Sequence, residues 1–234
     1  MEKLLLLHGA LGAASQFELW KPVLEKQFEV HVLDFYGHGL NNESKPWGIA
    51  SFSDQLIQYI REQNGKPVWV LGYSMGGYVA LHAALQSPEL FAGIMTLATK
   101  WDWTPEQSAR EASMLDAETM KAKSPGFIQL LKERHWHTPW EFVLSKTAAL
   151  MLELGKNPAL KADEMNAMQI PVYITVGDRD AMVSMEESRD LYRLIPGAQF
   201  GVLPLTPHLM EKMNIDMVSA QLISFTERTQ KLRS

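Results

Sequence analysis

The stretch that decides the fold is KPVWVLGYSMGGYVAL, Lys66 to Leu81. Val68 to Leu71 is a short apolar run, and Gly72-Tyr73-Ser74-Met75-Gly76 follows it at once. The next residues favour a helix with a small-residue face, Gly76, Gly77, Ala80, Ala83 and Ala84. A strand, a serine-centred turn and a buried helix form the context in which G-x-S-x-G makes a nucleophile elbow. The glycines have a mechanical reason, because a side chain at Gly72 or Gly76 would collide with the neighbouring strand or helix. Such a turn lifts the Ser74 hydroxyl clear of the sheet. It also sets the serine at a helix N-terminus, where free N–H groups favour negative charge. Ser74 is therefore the candidate nucleophile.

Working outward, Lys3 to Leu7 precedes the elbow as an apolar run, Phe28 to Leu33 reads as the next strand, and Gly93 to Ala98 follows the elbow as a further one. Runs that are apolar throughout suit parallel strands covered on both faces. Helical patterns lie between them. Ser15 to Lys26 places Phe17, Trp20 and Leu24 at helical spacing, and Ser51 to Gln63 places Phe52, Leu56, Tyr59 and Ile60 on one face before Asn64-Gly65. The helix after the elbow runs to Gln86. This alternation predicts right-handed βαβ units and a parallel sheet. From Trp101 to Met168 no strand is evident. Helical stretches are expected instead over 105–122, 126–133, 139–154 and 163–168, punctuated by Pro105, Pro125, Pro139 and Pro158. Alternation resumes with a strand over 170–176, a helix over 186–194 and a strand over 199–203. A final helix follows, with Thr206 and Pro207 as its expected N-cap and N1 and with Val218, Leu222 and Phe225 on one face. The expected organisation is an α/β core of residues 1–99 and 169–234 interrupted by a helical insertion of residues 100–168.

A serine nucleophile needs a base, and the base an orienting acid. Asp178, Asp180 and His208 all follow strands, at the carboxyl ends where open α/β sheets bind ligands. Taken together, the motifs resemble those of the cap-bearing α/β-hydrolases, serine hydrolases of carboxylesterase type. His8-Gly9-Ala10-Leu11-Gly12 is similar to that family's HGxxG oxyanion loop, and Asp34 to Gly39 to its D-x-x-G-H-G loop. Gly177-Asp178-Arg179-Asp180 resembles G-x-x-D, whose last residue is the triad acid, so the resemblance selects Asp180 over Asp178. The order Ser74…Asp180…His208 is the one this family uses. The resemblance also implies an oxyanion hole from the Met75 and Ala10 N–H groups, with Leu11 beside the pocket. It implies a sheet of six parallel strands ordered 2-1-3-4-5-6, lacking the N-terminal hairpin that usually precedes the HGxxG strand. Pro207 stands where the family often has glycine. The implied activity is cleavage of a small ester, thioester or related acyl compound through an acyl-enzyme. A lyase, a C–C hydrolase, a perhydrolase or a ligand-binding receptor on the same fold are the alternatives. An aspartate nucleophile of haloalkane-dehalogenase type is disfavoured by Ser74.

The remaining composition narrows the partners. With 22 Lys and Arg against 27 Asp and Glu the formal charge is −5, so nothing in the charge points to nucleic acid. The chain has no cysteine, which excludes disulfides, thiolate metal sites and a cysteine nucleophile. No apolar stretch approaches the roughly 20 residues of a membrane span. Leu4 to Leu7 is too short for a signal h-region, and a cytoplasmic location is expected. No cofactor is expected, and no metal. His135 and His137 are two apart, so on a helix they do not share a face. His8, His38 and Asp34 are expected to brace their loops. Trp101 and Trp103, directly after a strand end, are the expected pocket walls over Ser74.

Overall fold

The computed structural model describes residues 1–63 and 65–233. Six strands form one sheet in the order β2-β1-β3-β4-β5-β6: β1 Glu2–Leu7, β2 Phe28–Leu33, β3 Val68–Tyr73, β4 Phe91–Leu97, β5 Val172–Gly177 and β6 Gln199–Leu203. Every neighbouring pair is parallel. Strands β3, β4 and β5 are buried at every position, which is why they are largely apolar, Thr96 and Thr175 aside. The edge strands β2 and β6 are only partly covered.

The period of two still decides which core each residue joins. Leu5, Leu7, Val68 and Val70 face one layer, with α2 (Ile49–Glu62) and α3 (Met75–Gln86). Leu4, Leu6, Trp69 and Leu71 face the other, with α1 (Lys21–Leu24) and the final helix. In that layer the Trp69 ring meets Phe225 edge-on with centroids 5.5 Å apart. Helix α3 is the most closely seated element, its small residues Gly76, Gly77, Ala80, Ala83 and Ala84 all buried against the sheet.

Five helices separate β4 from β5: α4 Pro105–Ser113, α5 Ala117–Lys123, α6 Pro125–Arg134, α7 Trp140–Lys156 and α8 Ala162–Asn166. Ile128, Leu131, Trp140, Val143 and Leu144 build a small core of their own, into which Leu11 of the loop after β1 inserts. The chain closes with α9 Met185–Leu194, β6 and α10 Ile215–Arg233. No helix among the described residues is long and apolar enough to cross a membrane.

Three local expectations fail, each for a stated reason. The segment 15–26 is not one helix but a 3-10 turn, Ala14–Phe17, followed by the four-residue α1. Pro22 has no N–H to offer the Glu18 carbonyl, so a continuous helix cannot pass it. The stretch 105–122 divides at Met114–Asp116, where the Asp116 side chain accepts the Thr119 N–H at 2.8 Å and starts α5 afresh. Thr206 and Pro207 do not open the last helix. Thr206 gives its N–H to Asp178 Oδ1 at 3.2 Å, and Asn214 caps α10 by accepting the Met217 N–H at 3.0 Å. At the end of α2, Asn64 lies outside the described residues. Gly65 has a φ of +60°, and its N–H returns to the Ile60 carbonyl at 3.2 Å.

Candidate active site

Strand β3 ends at Tyr73 and α3 begins at Met75, so Ser74 alone makes the turn. Its φ of 50° and ψ of −115° lie outside the ordinary regions, a conformation that costs about 1–3 kcal/mol. Neighbours hold it there. The Ser74 N–H donates to the Leu97 carbonyl at 2.8 Å, and its own carbonyl accepts the Thr99 hydroxyl at 3.0 Å. The two elbow glycines leave no room for alternatives. A Cβ on Gly72 would come 2.5 Å from Gly77 Cα, and one on Gly76 would run into the Leu7 carbonyl of β1. Among the described residues, the other non-glycine positions with positive φ are Leu11, Ala98 and Leu205, in the loops after β1, β4 and β6. Backbone strain in this molecule is thus concentrated around the carboxyl end of the sheet.

The loops after β5 and β6 bring an acid and an imidazole together. His208 Nδ1 lies 2.8 Å from Asp180 Oδ2. The other oxygen, Oδ1, accepts the N–H groups of Met182 and Val183, each at 2.8 Å, and the Asp180 side chain is fully buried. This fixes Nδ1 of His208 as the protonated nitrogen and leaves Nε2 as the acceptor. Asp178 is occupied elsewhere, with Thr206. Tyr73, next to Ser74 in sequence, donates its hydroxyl to the His208 carbonyl at 2.9 Å. Burial holds the Tyr73 phenol far above its ordinary pKa, so it stays a donor. Among the described residues no hydrogen bond joins Ser74 to His208; such contacts often close only when substrate is bound.

Ser74 and His208 open onto a cavity of about 320 Å³. Its floor includes Ala10, Leu11 and Met75, and its roof comes from the helices between β4 and β5, with Trp103, Phe127 and Leu150 among the apolar walls. Met75 is the first residue of α3, whose leading N–H groups have no acceptor within the helix. Of the two expected tryptophans, only Trp103 lines this space. Trp101 lines a separate surface groove with Asp102, Lys156 and Lys161. The reason is Glu187 of α9, whose Oε1 accepts both the Trp101 and the Asp102 N–H at 2.9 Å and fixes the backbone before the chain turns in to Trp103. Of the arginines in the insertion, Arg134 lines the cavity and pairs with Glu211, whereas Arg110 is exposed.

The histidines outside this centre are structural in their contacts. His8 lies in the core, its Nδ1 against the Gly9 carbonyl at 2.8 Å and its Nε2 accepting the Phe35 N–H at 3.2 Å. Desolvation pushes its pKa down to about 4. Asp34 ties two loops, accepting N–H groups from Ala14 at 2.7 Å and Leu40 at 3.0 Å. His135, at the end of α6, spans two loops of the core. Its Nδ1 accepts the Gly39 N–H at 3.0 Å, so Nε2 carries the proton and meets the Leu11 carbonyl at 3.1 Å. His137 stacks on Trp136 with ring centroids 3.5 Å apart. No group of three or more His, Asp or Glu suited to a metal occurs among the described residues. The sequence reading missed Tyr73, Glu187 and the bridging role of His135. Tyr73 had a signal in its place beside Ser74; Glu187 sits within an ordinary helix and had none.

A parallel α/β sheet with a strained serine at its centre and a paired Asp and His at the neighbouring strand ends defines a class of proteins, those that present a nucleophile at an elbow. A family model described as the alpha/beta hydrolase fold matches residues 3–164, and the chain belongs to that family. Among similar proteins, the pimeloyl-[acyl-carrier protein] methyl ester esterase of Aliivibrio salmonicida is 26% identical over 221 residues, covering 82% of this chain and 80% of its own. Among solved structures, a thermophilic esterase from Thermogutta terrifontis superposes with a TM-score of 0.77 at 23% identity, over 98% of this chain and 90% of that one. A hydrolase from Pseudomonas aeruginosa gives 0.79 at 18% identity, over 96% and 89%. At these identities the structural likeness speaks for the fold alone.

Proposed function

We propose that this protein is a serine hydrolase that cleaves a small carboxylic ester, thioester or related acyl compound. The observation that carries this reading is the pairing of His208 Nδ1 with the buried Asp180 at 2.8 Å, on the same cavity as the strained Ser74. In the proposed cycle Ser74 Oγ attacks the carbonyl carbon and His208 Nε2 takes its proton. Asp180 holds the imidazole in the required tautomer and stabilises the imidazolium. The tetrahedral oxyanion is received by the Met75 and Ala10 N–H groups; removing one such donor typically costs about 3–4 kcal/mol of transition-state stabilisation. His208 then protonates the leaving alkoxide or thiolate, and water, activated by the same imidazole, releases the acid and restores Ser74.

Residues 100–168 act in this reading as a cap that closes the cavity. The volume of about 320 Å³ is near the lower end of the range of roughly 300–1,000 Å³ common for small-molecule pockets, which supports a small or medium acyl group. The Aliivibrio relative, named for a methyl ester, supports an ester with a small alcohol part. The experiment is active-site labelling. A fluorophosphonate should modify the protein at Ser74, located by peptide mass, and should leave Ser74→Ala unmodified. Labelling at another residue, or none in the folded protein, would overturn the assignment.

A further inference from the structure

The charged groups around the cavity are not evenly matched. Lys100 pairs with Glu187 at 3.4 Å, both nearly buried. Arg134 pairs with Glu211, which also accepts from Gln16 at 2.9 Å. Both cations that line the cavity therefore already have a carboxylate. Glu111 of α4 lines the same cavity and is only 3% exposed. One of its oxygens, Oε1, lies 3.5 Å from Arg110, whose side chain is out in solvent. The other, Oε2, is buried and has no hydrogen-bond partner. The indole Nε1 of Trp103, on the same cavity, is buried and unpartnered as well. So is Gln107 Oε1, one helical turn before Glu111. A buried polar atom left without a partner costs about 1–3 kcal/mol, more when charged, and two such groups on one apolar pocket wall call for an explanation.

We propose that Glu111 and Trp103 form a polar subsite of the cavity that recognises a hydrogen-bond-donating group, a hydroxyl or an ammonium, on the chain of the substrate. The proposal rests on the hydrolase reading above and adds to it the class of substrate. Glu111 Oε2 can only accept from a neutral or cationic donor, and the ion pairs on Lys100 and Arg134 leave no free cation in the cavity, among the described residues, for a carboxylate on the chain. Trp103 Nε1–H can only donate. A hydroxyl can satisfy either, donating to Glu111 or accepting from Trp103. An ammonium satisfies Glu111 alone. A purely alkyl chain satisfies neither and leaves both atoms desolvated.

The test uses matched substrates in which only the distal group changes: p-nitrophenyl esters of hexanoic, 6-hydroxyhexanoic and 6-aminohexanoic acids, with the four- and five-carbon homologues to allow for depth. The quantity read is the ratio of kcat/KM for the polar ester to that for the alkyl ester of equal length. For the wild-type protein the ratio should reach about tenfold to hundredfold in at least one arm, the range that one hydrogen bond to a charged group supplies. Glu111→Leu should bring it to one or below in both arms. Glu111→Gln should lower it more for the ammonium than for the hydroxyl. Trp103→Phe should lower only the hydroxyl arm, which tells the two sources apart. The same ratios, read as Kd by calorimetry with the free alcohols and amines of equal length on Ser74→Ala, do not depend on turnover. Fluorophosphonate labelling judges the hydrolase reading by itself, so the two can fail separately. If the wild-type ratio is one or less in every arm, or if Glu111→Leu leaves it unchanged in a folded variant, the proposal is wrong.

Discussion

Replacing Asp180 by asparagine tests the proposed acid without changing its shape. The outcome follows from which oxygen does what. Asp180 Oδ1 is held by the N–H groups of Met182 and Val183, each at 2.8 Å, while Oδ2 faces His208 Nδ1. In Asp180→Asn the amide oxygen stays on the two backbone donors, because turning it away would forfeit both bonds inside a fully buried site. The amide NH₂ must then face Nδ1, so the imidazole is forced to carry its proton on Nε2. That nitrogen can no longer take a proton from Ser74. In a Ser-His-Asp arrangement, the wrong tautomer lowers kcat by about ten-thousandfold, which at about 1.4 kcal/mol per decade is about 5.5 kcal/mol of barrier.

Asp178→Asn supplies the contrast. Asp178 is partly exposed and accepts one N–H, from Thr206 at 3.2 Å, a role the amide oxygen of asparagine can keep. Its kcat should stay within about tenfold of wild type, since one neutral hydrogen bond is worth about 0.5–1.5 kcal/mol. The assay is hydrolysis of a p-nitrophenyl ester at neutral pH, with thermal melting to confirm that both variants fold. An Asp180→Asn variant that keeps more than a tenth of wild-type kcat, or an Asp178→Asn variant that falls as far, would refute the assignment of the acid.

Three further outcomes are expected. Gly76→Ala should destabilise by about 3 kcal/mol or more, because its Cβ would meet the Leu7 carbonyl, which the β1 ladder holds in place; an unchanged urea midpoint would contradict the close approach of the elbow to β1. Stability should fall between pH 6.5 and 4. The His8 pKa is depressed to about 4 by burial, so the unfolded chain binds a proton the folded one does not, and that contribution is present above pH 6.5 and lost as pH falls through the folded value. The whole window is worth about 3 kcal/mol for His8, and equal urea midpoints at pH 7 and pH 5 would exclude it. His135→Phe should cost about 2–4 kcal/mol, since it leaves the Gly39 N–H and the Leu11 carbonyl buried without partners; chemical denaturation reads this directly, and a loss under 1 kcal/mol would show that the bridge is dispensable.

Much of the architecture was legible because parallel strands announce themselves. Leu4 to Leu7 and Val68 to Leu71 are apolar at every position, and the run after Gly93 at all but Thr96, since both sheet faces are covered, and β6 fell on Gln199–Leu203 as expected. The errors have local physical causes. Residues 15–26 satisfied a helical period, but Pro22 overrode it. Thr206-Pro207 has the composition of a helix start, yet a carboxylate from another loop, Asp178, claims its N–H. Trp101 and Trp103 were both expected over Ser74 from their place after β4; the Glu187 carboxylate, 86 positions away in sequence, holds the backbone at Trp101 so that only Trp103 enters the cavity. In the last two cases the deciding contact is long-range, and periodicity and capping rules are blind to it.

The same division separates the chemistry from its selectivity. Ser74, Asp180 and His208 sit on strand ends, where motifs of fixed spacing place them. The groups that line much of the cavity come from α4, α6 and α7, which carry no motif. Leu11 is where the two meet. Its backbone, at φ 59°, follows Ala10 of the proposed oxyanion loop. Its side chain lies in the small core of the insertion with Trp140 and Leu131, and its carbonyl meets His135 of α6 at 3.1 Å. A left-handed leucine is held only by surroundings that over-determine it, and here those surroundings belong to the insertion. A shift of α6 would therefore reach the Ala10 N–H through one residue, so in the proposed reading the position of the cap and the geometry of the oxyanion hole are mechanically joined. Changes in the α6–α7 core that leave Ser74, Asp180 and His208 untouched should accordingly lower kcat as well as raise KM, which a cap that only encloses substrate would not do.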